Sequence, residues 1–174
     1  MNKVKLLCII SISLLLLGVF CAKKLLPTAK PIPAEKIHYH AGFVVFDQNK
    51  KLDFSDTKFM FLKPCLTNGK EDTNSENIQL EKAHLHDNVG DLVHIEARDA
   101  FWQDLFTNIK FPMDYAKTAG YINGEKVSDF QKIPIRPDDS LVVFVGENDE
   151  KLLDQKVTRE YIETQSKKSV ECGD

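Results

Sequence analysis

The chain has 174 residues, enough for one domain with a single hydrophobic core. Its apolar content of 43% and charged content of 28% are those of a folded protein, which excludes a chain disordered throughout. The formal net charge is −3, but residues 1–24 hold four lysines and no acid, so the remainder carries 19 basic and 26 acidic residues. Such an acidic remainder lacks the basic surface that nucleic-acid binding requires, and anionic lipid would repel it.

The N-terminal segment, residues 1–24, predicts delivery to a membrane. Lysines precede an apolar run of 17 residues over 6–22, which would span about 25 Å as a helix. That length is short for a transmembrane helix and long for a signal-peptide core. Three alternatives therefore stay open: an uncleaved signal anchor, a cleaved signal peptide, and a lipoprotein modified at Cys21. All three predict a domain outside the cytoplasm, and two of them keep it at the cell membrane.

Residues 25–36 contain three prolines and predict an extended linker. Beyond it, residues 37–147 are expected to form a histidine-rich domain. The stretch 37–46 is rich in β-branched and aromatic residues and predicts a strand. Residues 50–54 are expected to be its hairpin partner. Further strands are expected at 58–62, 78–86 and 91–97.

The second half of the domain alternates helix and strand. Asp99 is a plausible N-cap for a helix whose apolar face runs from 101 to 109. The Asn123-Gly124 pair predicts a type I′ hairpin over 121–127, and 141–145 reads as a buried strand. Residues 148–174 are expected to form a helical tail, with the helix itself at 158–170. The predicted fold class is α+β, a mostly antiparallel sheet with one packed helix, a second half of β-grasp (ubiquitin-like) character, and a C-terminal helix.

Two cysteines, Cys65 and Cys172, lie outside the N-terminal segment. In an exported protein such a pair suggests one disulfide, closing a loop of about a hundred residues. The alternative is two unrelated thiols.

All five histidines fall in three short, strand-like pieces. In a strand, residues two apart point to the same face about 7 Å apart, so each His-x-His pair can aim two imidazoles at one point. Imidazole is a common ligand of zinc, copper, iron and nickel, and we rank zinc and copper first. The alternative is that these are surface or hydrogen-bonded core residues. The predicted ligands are His38, His40, His84, His86 and His94, with Asp87 and Glu96 as further ligands or as partners that orient the rings.

Four stretches of the sequence carry a resemblance to a family. They are HYHAGFVVF, EKAHLHDNVGDLVHIEARDAFWQDLF, GYINGEKV and DDSLVVFVG, within residues 37–146. They resemble uncharacterised, membrane-anchored proteins of candidate-phyla bacteria that share a His-x-His-Ala strand, a His-x-His-Asp turn and a Val-His-Ile/Val-Glu-like strand. That family has no assigned activity, so the resemblance supports the pairing of the motifs and implies no reaction.

Three functions follow as hypotheses. The first is a membrane-tethered protein that stores, delivers or senses a transition metal through the histidines. The second is a metalloenzyme with three histidines and an open coordination position, in which Glu96 or Asp87 is the base. The third is an envelope interaction protein whose histidines are structural. No nucleophile motif, phosphate loop or dinucleotide fingerprint is present, which argues against an enzyme with an organic cofactor.

Overall fold

The computed structural model of the chain describes residues 37–61 and 75–168. The chain divides into two units, residues 1–35 and 36–174, and the described residues belong to the second. The predicted membrane segment, the linker and both cysteines of the expected disulfide lie outside the described residues. Within the described part, no helix has the length and apolar character that crossing a bilayer requires.

A six-stranded mixed sheet forms the centre of the fold. Its first strand, β1 (Tyr39–Asp47), pairs in parallel with the last, β6 (Ser140–Val145). On its other edge β1 pairs antiparallel with β3 (Leu92–Ile95) through its first half and with β2 (Lys50–Lys51) at its end. Beyond β6 lie β4 (Thr118–Ile122) and then β5 (Glu125–Val127), both antiparallel.

One face of the sheet is covered by a helix. Alternate residues of β1, among them Phe43 and Val45, pack with Leu141 and Val143 of β6 in the main core. The helix α2 (Trp102–Asn108) adds Trp102, Leu105 and Phe106 to that core. The apolar face predicted for residues 101–109 is therefore a core face, as expected for aromatic residues at helical spacing.

The opposite face is covered by the C-terminal part of the chain. A 3₁₀ segment, Glu150–Gln155, packs over the end of the sheet near Val44 and Phe144. The helix α3 (Arg159–Ser166) then places Ile162 against Leu92 of β3. Because both faces are covered, residues 41–46 of β1 are all buried, and so is most of β6.

The strand predicted over 78–86 is wrong in its first half. Residues Ser75–Lys82 form a helix, α1, and only the stretch that follows it is extended. Glu, Gln, Leu and Lys are good helix formers, and α2 stabilises the end of α1 because Asn108 donates from its side-chain amide to the carbonyls of Gln79 and Ala83.

Two smaller expectations are also wrong. Asp99 does not cap α2, because its own backbone is left-handed with φ of 56° and the N-cap is Phe101. The backbone N–H of Phe101 donates instead to the carboxylate of Asp104 at 2.8 Å. The strand predicted over 58–62 is a 3₁₀ turn, Thr57–Phe59, followed by one bridge from Met60 to Leu85.

The other elements lie where they were predicted, but some are shorter: the hairpin partner expected over 50–54 is only Lys50–Lys51, and the helix expected over 158–170 is Arg159–Ser166. Asn123 and Gly124 join β4 to β5 with positive φ angles of 55° and 90°, as a type I′ turn requires. The C-terminal helix begins after Thr158, whose hydroxyl accepts from the N–H of Tyr161. The predicted α+β class, with a mostly antiparallel sheet, a packed helix and a C-terminal helix, is confirmed.

Candidate metal centre

Three histidines stand side by side across neighbouring extended segments. His40 of β1 is the register partner of His94 of β3. On the other side, His94 pairs antiparallel with His84, the two exchanging backbone hydrogen bonds of 2.9 and 3.0 Å. Directly opposed residues point to the same face of a sheet. The three imidazoles therefore form a row, on the face that also carries Leu92 and is covered further along by α3.

The other two histidines extend this row diagonally. His38 precedes His40 by two residues and His86 follows His84 by two, so each shares a face with its neighbour. His94 is the centre of the group. The distances from its ring centroid to the other four rings are 6.2 Å for His38, 4.3 Å for His40, 5.8 Å for His84 and 3.4 Å for His86.

Three of the five rings could hold one metal ion. His38, His40 and His94 each offer a ring nitrogen, and the three nitrogens lie within 4.8 Å of one another. A tetrahedral zinc ion with bonds of about 2.0–2.1 Å places its ligand nitrogens about 3.3 Å apart. The separations of up to 4.8 Å exceed this value by about 1.5 Å, so the rings would turn toward one another as an ion binds.

His94 is buried and kept neutral. Only 1% of its surface is exposed, and burial lowers its pKa far below the usual value, with the charges of His86, His40, His84 and His38 acting in the same direction. A neutral imidazole is the form that binds a metal. Among the described residues, its Nδ1 atom has no hydrogen-bond partner. An unsatisfied buried polar atom costs about 1–3 kcal/mol, a cost that a metal bond or an ordered partner would remove.

His84 is held from the side away from His94. Its Nδ1–H donates to the carbonyl of Leu80, in the last turn of α1, at 3.1 Å. This bond fixes the tautomer and leaves Nε2 as the atom with a lone pair. The Asn108 side chain of α2 donates to the same carbonyl at 3.4 Å and to that of Ala83 at 2.8 Å, so the end of α1 is anchored where His84 begins.

His86 is oriented by its neighbour in the chain. Its Nδ1–H donates to the carboxylate of Asp87 at 2.7 Å, and about a quarter of the imidazole side chain is exposed. Asp87 and Asn88 both adopt left-handed backbone angles, with φ of 58°. The Asn88 side chain donates to the Ser55 carbonyl at 3.0 Å. The turn that carries His86 is therefore fixed on both sides.

The two acidic residues named from the sequence have different positions. Asp87 orients His86, as described. Glu96 is exposed, one residue beyond the end of β3, and lies outside the group of three ring nitrogens. The group of three ring nitrogens contains no carboxylate among the described residues, so all three ligands that it offers are imidazoles.

Two residues that support the site were missed in the sequence analysis. Asn108 lies on α2, 24 residues beyond His84, and acts through the backbone of α1. The carbonyl of Leu80 belongs to a helix that was expected to be a strand. A polar residue at the end of an otherwise apolar helix face was the only available signal.

Comparison of the chain with family models, curated proteins and solved structures found no match.

Proposed function

We propose that this protein binds a transition-metal ion, zinc or copper(II), through His38, His40 and His94, to store, deliver or sense it. The observation that carries this proposal is the convergence of the three ring nitrogens within 4.8 Å of one another. Neutral imidazole ligands suit zinc and copper(II) better than magnesium or calcium, which prefer oxygen.

The burial of His94 favours a ligand role over a structural one. A structural core histidine normally has both ring nitrogens satisfied, whereas Nδ1 of His94 has no hydrogen-bond partner within the described residues. Burial also keeps the ring neutral and ready to bind a cation at neutral pH. The four imidazoles around His94 disfavour its protonated form, which favours the neutral form that binds a metal.

The membrane attachment of this domain is part of the same proposal. The apolar run over 6–22 would deliver the acidic domain outside the cytoplasm, as an anchor, as a signal peptide or through lipid on Cys21. There the domain would meet metal ions before they enter the cell.

A metalloenzyme is the second candidate, because three ligands leave one position of a tetrahedral ion for water or substrate.

Metal analysis of the full-length chain tests the proposal. The protein is purified in detergent without a polyhistidine tag or nickel resin, treated with a chelator, and titrated with Zn²⁺ or Cu²⁺. We expect one ion per chain and a rise in melting temperature. A metal at a hundred times its Kd stabilises the folded state by about 2.7 kcal/mol.

Two substitutions sharpen the measurement. His40→Ala is expected to abolish the stabilisation by metal, because it removes one of the three ligands. Glu96→Gln is the matched control, since Glu96 is exposed just beyond β3, the strand of His94, and lies outside the group of three nitrogens. If neither ion raises the melting temperature of the unsubstituted protein, metal binding by this site is excluded.

A further inference from the structure

The three nitrogens of the proposed site leave its fourth ligand unassigned. A tetrahedral ion bound by His38, His40 and His94 has one remaining position. A water molecule there would favour catalysis, whereas a fourth protein ligand would close the site and favour carriage of the metal. The residues around His94 decide between these cases.

His86 has the ring nearest to His94. Their centroids are 3.4 Å apart with an angle of 39° between the planes, closer than any other pair of histidine rings among the described residues. His86 belongs to a different segment from His38 and His40, so it approaches His94 from the opposite diagonal of the row. It lies outside the set of three nitrogens within 4.8 Å, so it must turn toward the ion as the ion binds.

The contact between His86 and Asp87 is the arrangement of a metal-bound histidine. The Nδ1–H of His86 donates to the carboxylate at 2.7 Å, which leaves Nε2 as the ligating atom and raises its basicity. The turn that carries this pair is anchored, because the Asn88 side chain donates to the Ser55 carbonyl, so the movement toward the ion would be confined to the side chains of His86 and Asp87. His86 is partly exposed, whereas the neighbouring ring of His94 is buried.

We propose that His86, oriented by Asp87, is the fourth ligand and closes a four-imidazole site for one zinc or copper(II) ion. This inference rests on the proposed metal-binding function. Four neutral imidazoles leave the charge of the ion uncompensated among its ligands, and the nearby Asp87 carboxylate supplies one negative charge through the ring of His86. The closed site favours storage or delivery over catalysis.

Titration of the full-length, metal-free chain with Co²⁺ tests the assignment. Cobalt substitutes for zinc, and its visible absorption is intense in four-coordinate tetrahedral sites. Where water is one of the four ligands, the spectrum also changes with pH as the bound water ionises near neutral pH, whereas a site closed by four imidazoles lacks that change. The unsubstituted chain is expected to give the intense spectrum at one Co²⁺ per chain. X-ray absorption of the Zn²⁺ form is expected to count four nitrogen ligands at about 2.0–2.1 Å.

Two variants separate a ligand from a structural residue. His86→Ala is expected to weaken Co²⁺ binding at least tenfold and to give a spectrum that changes with pH, because water takes the vacated position. Asp87→Asn is expected to keep the spectrum and weaken binding 10- to 100-fold, as is usual for partners of metal-bound histidines. The metal-free melting temperatures of both variants report on folding independently, and Glu96→Gln is the control that leaves affinity and spectrum unchanged.

The outcomes distinguish this inference from the function on which it rests. If Co²⁺ binds to the unsubstituted chain but His86→Ala gives the same affinity and spectrum, His86 is not a ligand and the three-histidine site stands. If His86→Ala fails to fold, Asp87→Asn provides the test instead: an unchanged affinity in that variant leads to the same conclusion. Two ions per chain would also overturn the single closed site. If neither Co²⁺ nor Zn²⁺ binds to the unsubstituted chain, the proposed function itself fails.

Discussion

The burial of His94 predicts that the metal-free protein loses stability in mild acid. Burial lowers the pKa of this imidazole in the folded state, and the neighbouring histidines lower it further. In the unfolded chain its pKa returns to about 6.5. Below that pH the unfolded chain takes up a proton that the folded protein does not, so the free energy of unfolding must fall as the pH falls.

The magnitude follows from this difference in protonation. Each pH unit below 6.5 costs about 1.4 kcal/mol once the unfolded histidine is fully protonated and the folded one is still neutral. Between pH 6.5 and 4.5 the His94 contribution is about 2.3 kcal/mol, provided that its folded pKa lies below this range. That is a substantial part of the 5–15 kcal/mol that stabilises a typical domain.

Urea denaturation of the full-length, chelator-treated chain in detergent measures this effect at pH 7.5, 6.5, 5.5 and 4.5. The control is His94→Asn, which keeps a polar side chain but cannot titrate. Absolute stabilities will differ between the two proteins, so the comparison is between their slopes with pH. The His94 protein is expected to lose about 2 kcal/mol more than the variant between pH 6.5 and 4.5. Equal slopes would refute the reasoning, because His94 would then be protonated as easily in the folded protein as in the unfolded chain.

Three further predictions concern the scaffold. Gly42→Ala should destabilise the protein by about 1–3 kcal/mol in chemical denaturation, because an added Cβ would lie 2.5 Å from both Cβ and Cγ1 of Val157. In a Val157→Gly background, which lacks both atoms, the same substitution should cost less, and an equal cost would contradict this account. Asn108→Ala should cost about 1–3 kcal/mol in chemical denaturation, since it leaves the carbonyls of Gln79 and Ala83 without this donor. Unchanged stability would show that the end of α1 does not depend on the Asn108 side chain. Gly124→Ala should lower the free energy of unfolding by about 1 kcal/mol, measured by thermal unfolding. The positive φ is the only cause, because the space around the added Cβ is open, so a larger loss would mean that the hairpin changes its turn type.

The sequence predicted those elements whose local pattern and tertiary surroundings agree. Residues 37–46 are β-branched and aromatic, and β1 is a central strand covered on both faces. The Asn123-Gly124 turn is determined by the backbone angles those two residues tolerate. The first half of 78–86 was misassigned because its few apolar residues fit no clear period and its helix depends on a distant side chain, Asn108.

The candidate site could be predicted from the sequence only in part, because strand geometry is a local property and strand pairing is not. That each His-x-His pair shares a face follows from strand geometry alone. That His94 lies between His40 and His84 depends on two registers, one of them between segments more than 50 residues apart. The burial of His94 depends on elements packing around the sheet, and no spacing in the sequence encodes it. The hydrogen bond from His84 to Leu80 is local, but it depends on residues 75–82 being helical, which the sequence analysis did not predict.

The proposed site lies between the first and third strands, so an ion bound there would also cross-link the chain. An ion bound to both His38 and His94 would join two points 56 residues apart, as a cross-link does. In the chain-entropy treatment of cross-links, closing a loop of that length removes about 4 kcal/mol of freedom from the unfolded chain. Release of the ion would restore that freedom, so the metal content of this domain would set how readily its first and third strands separate.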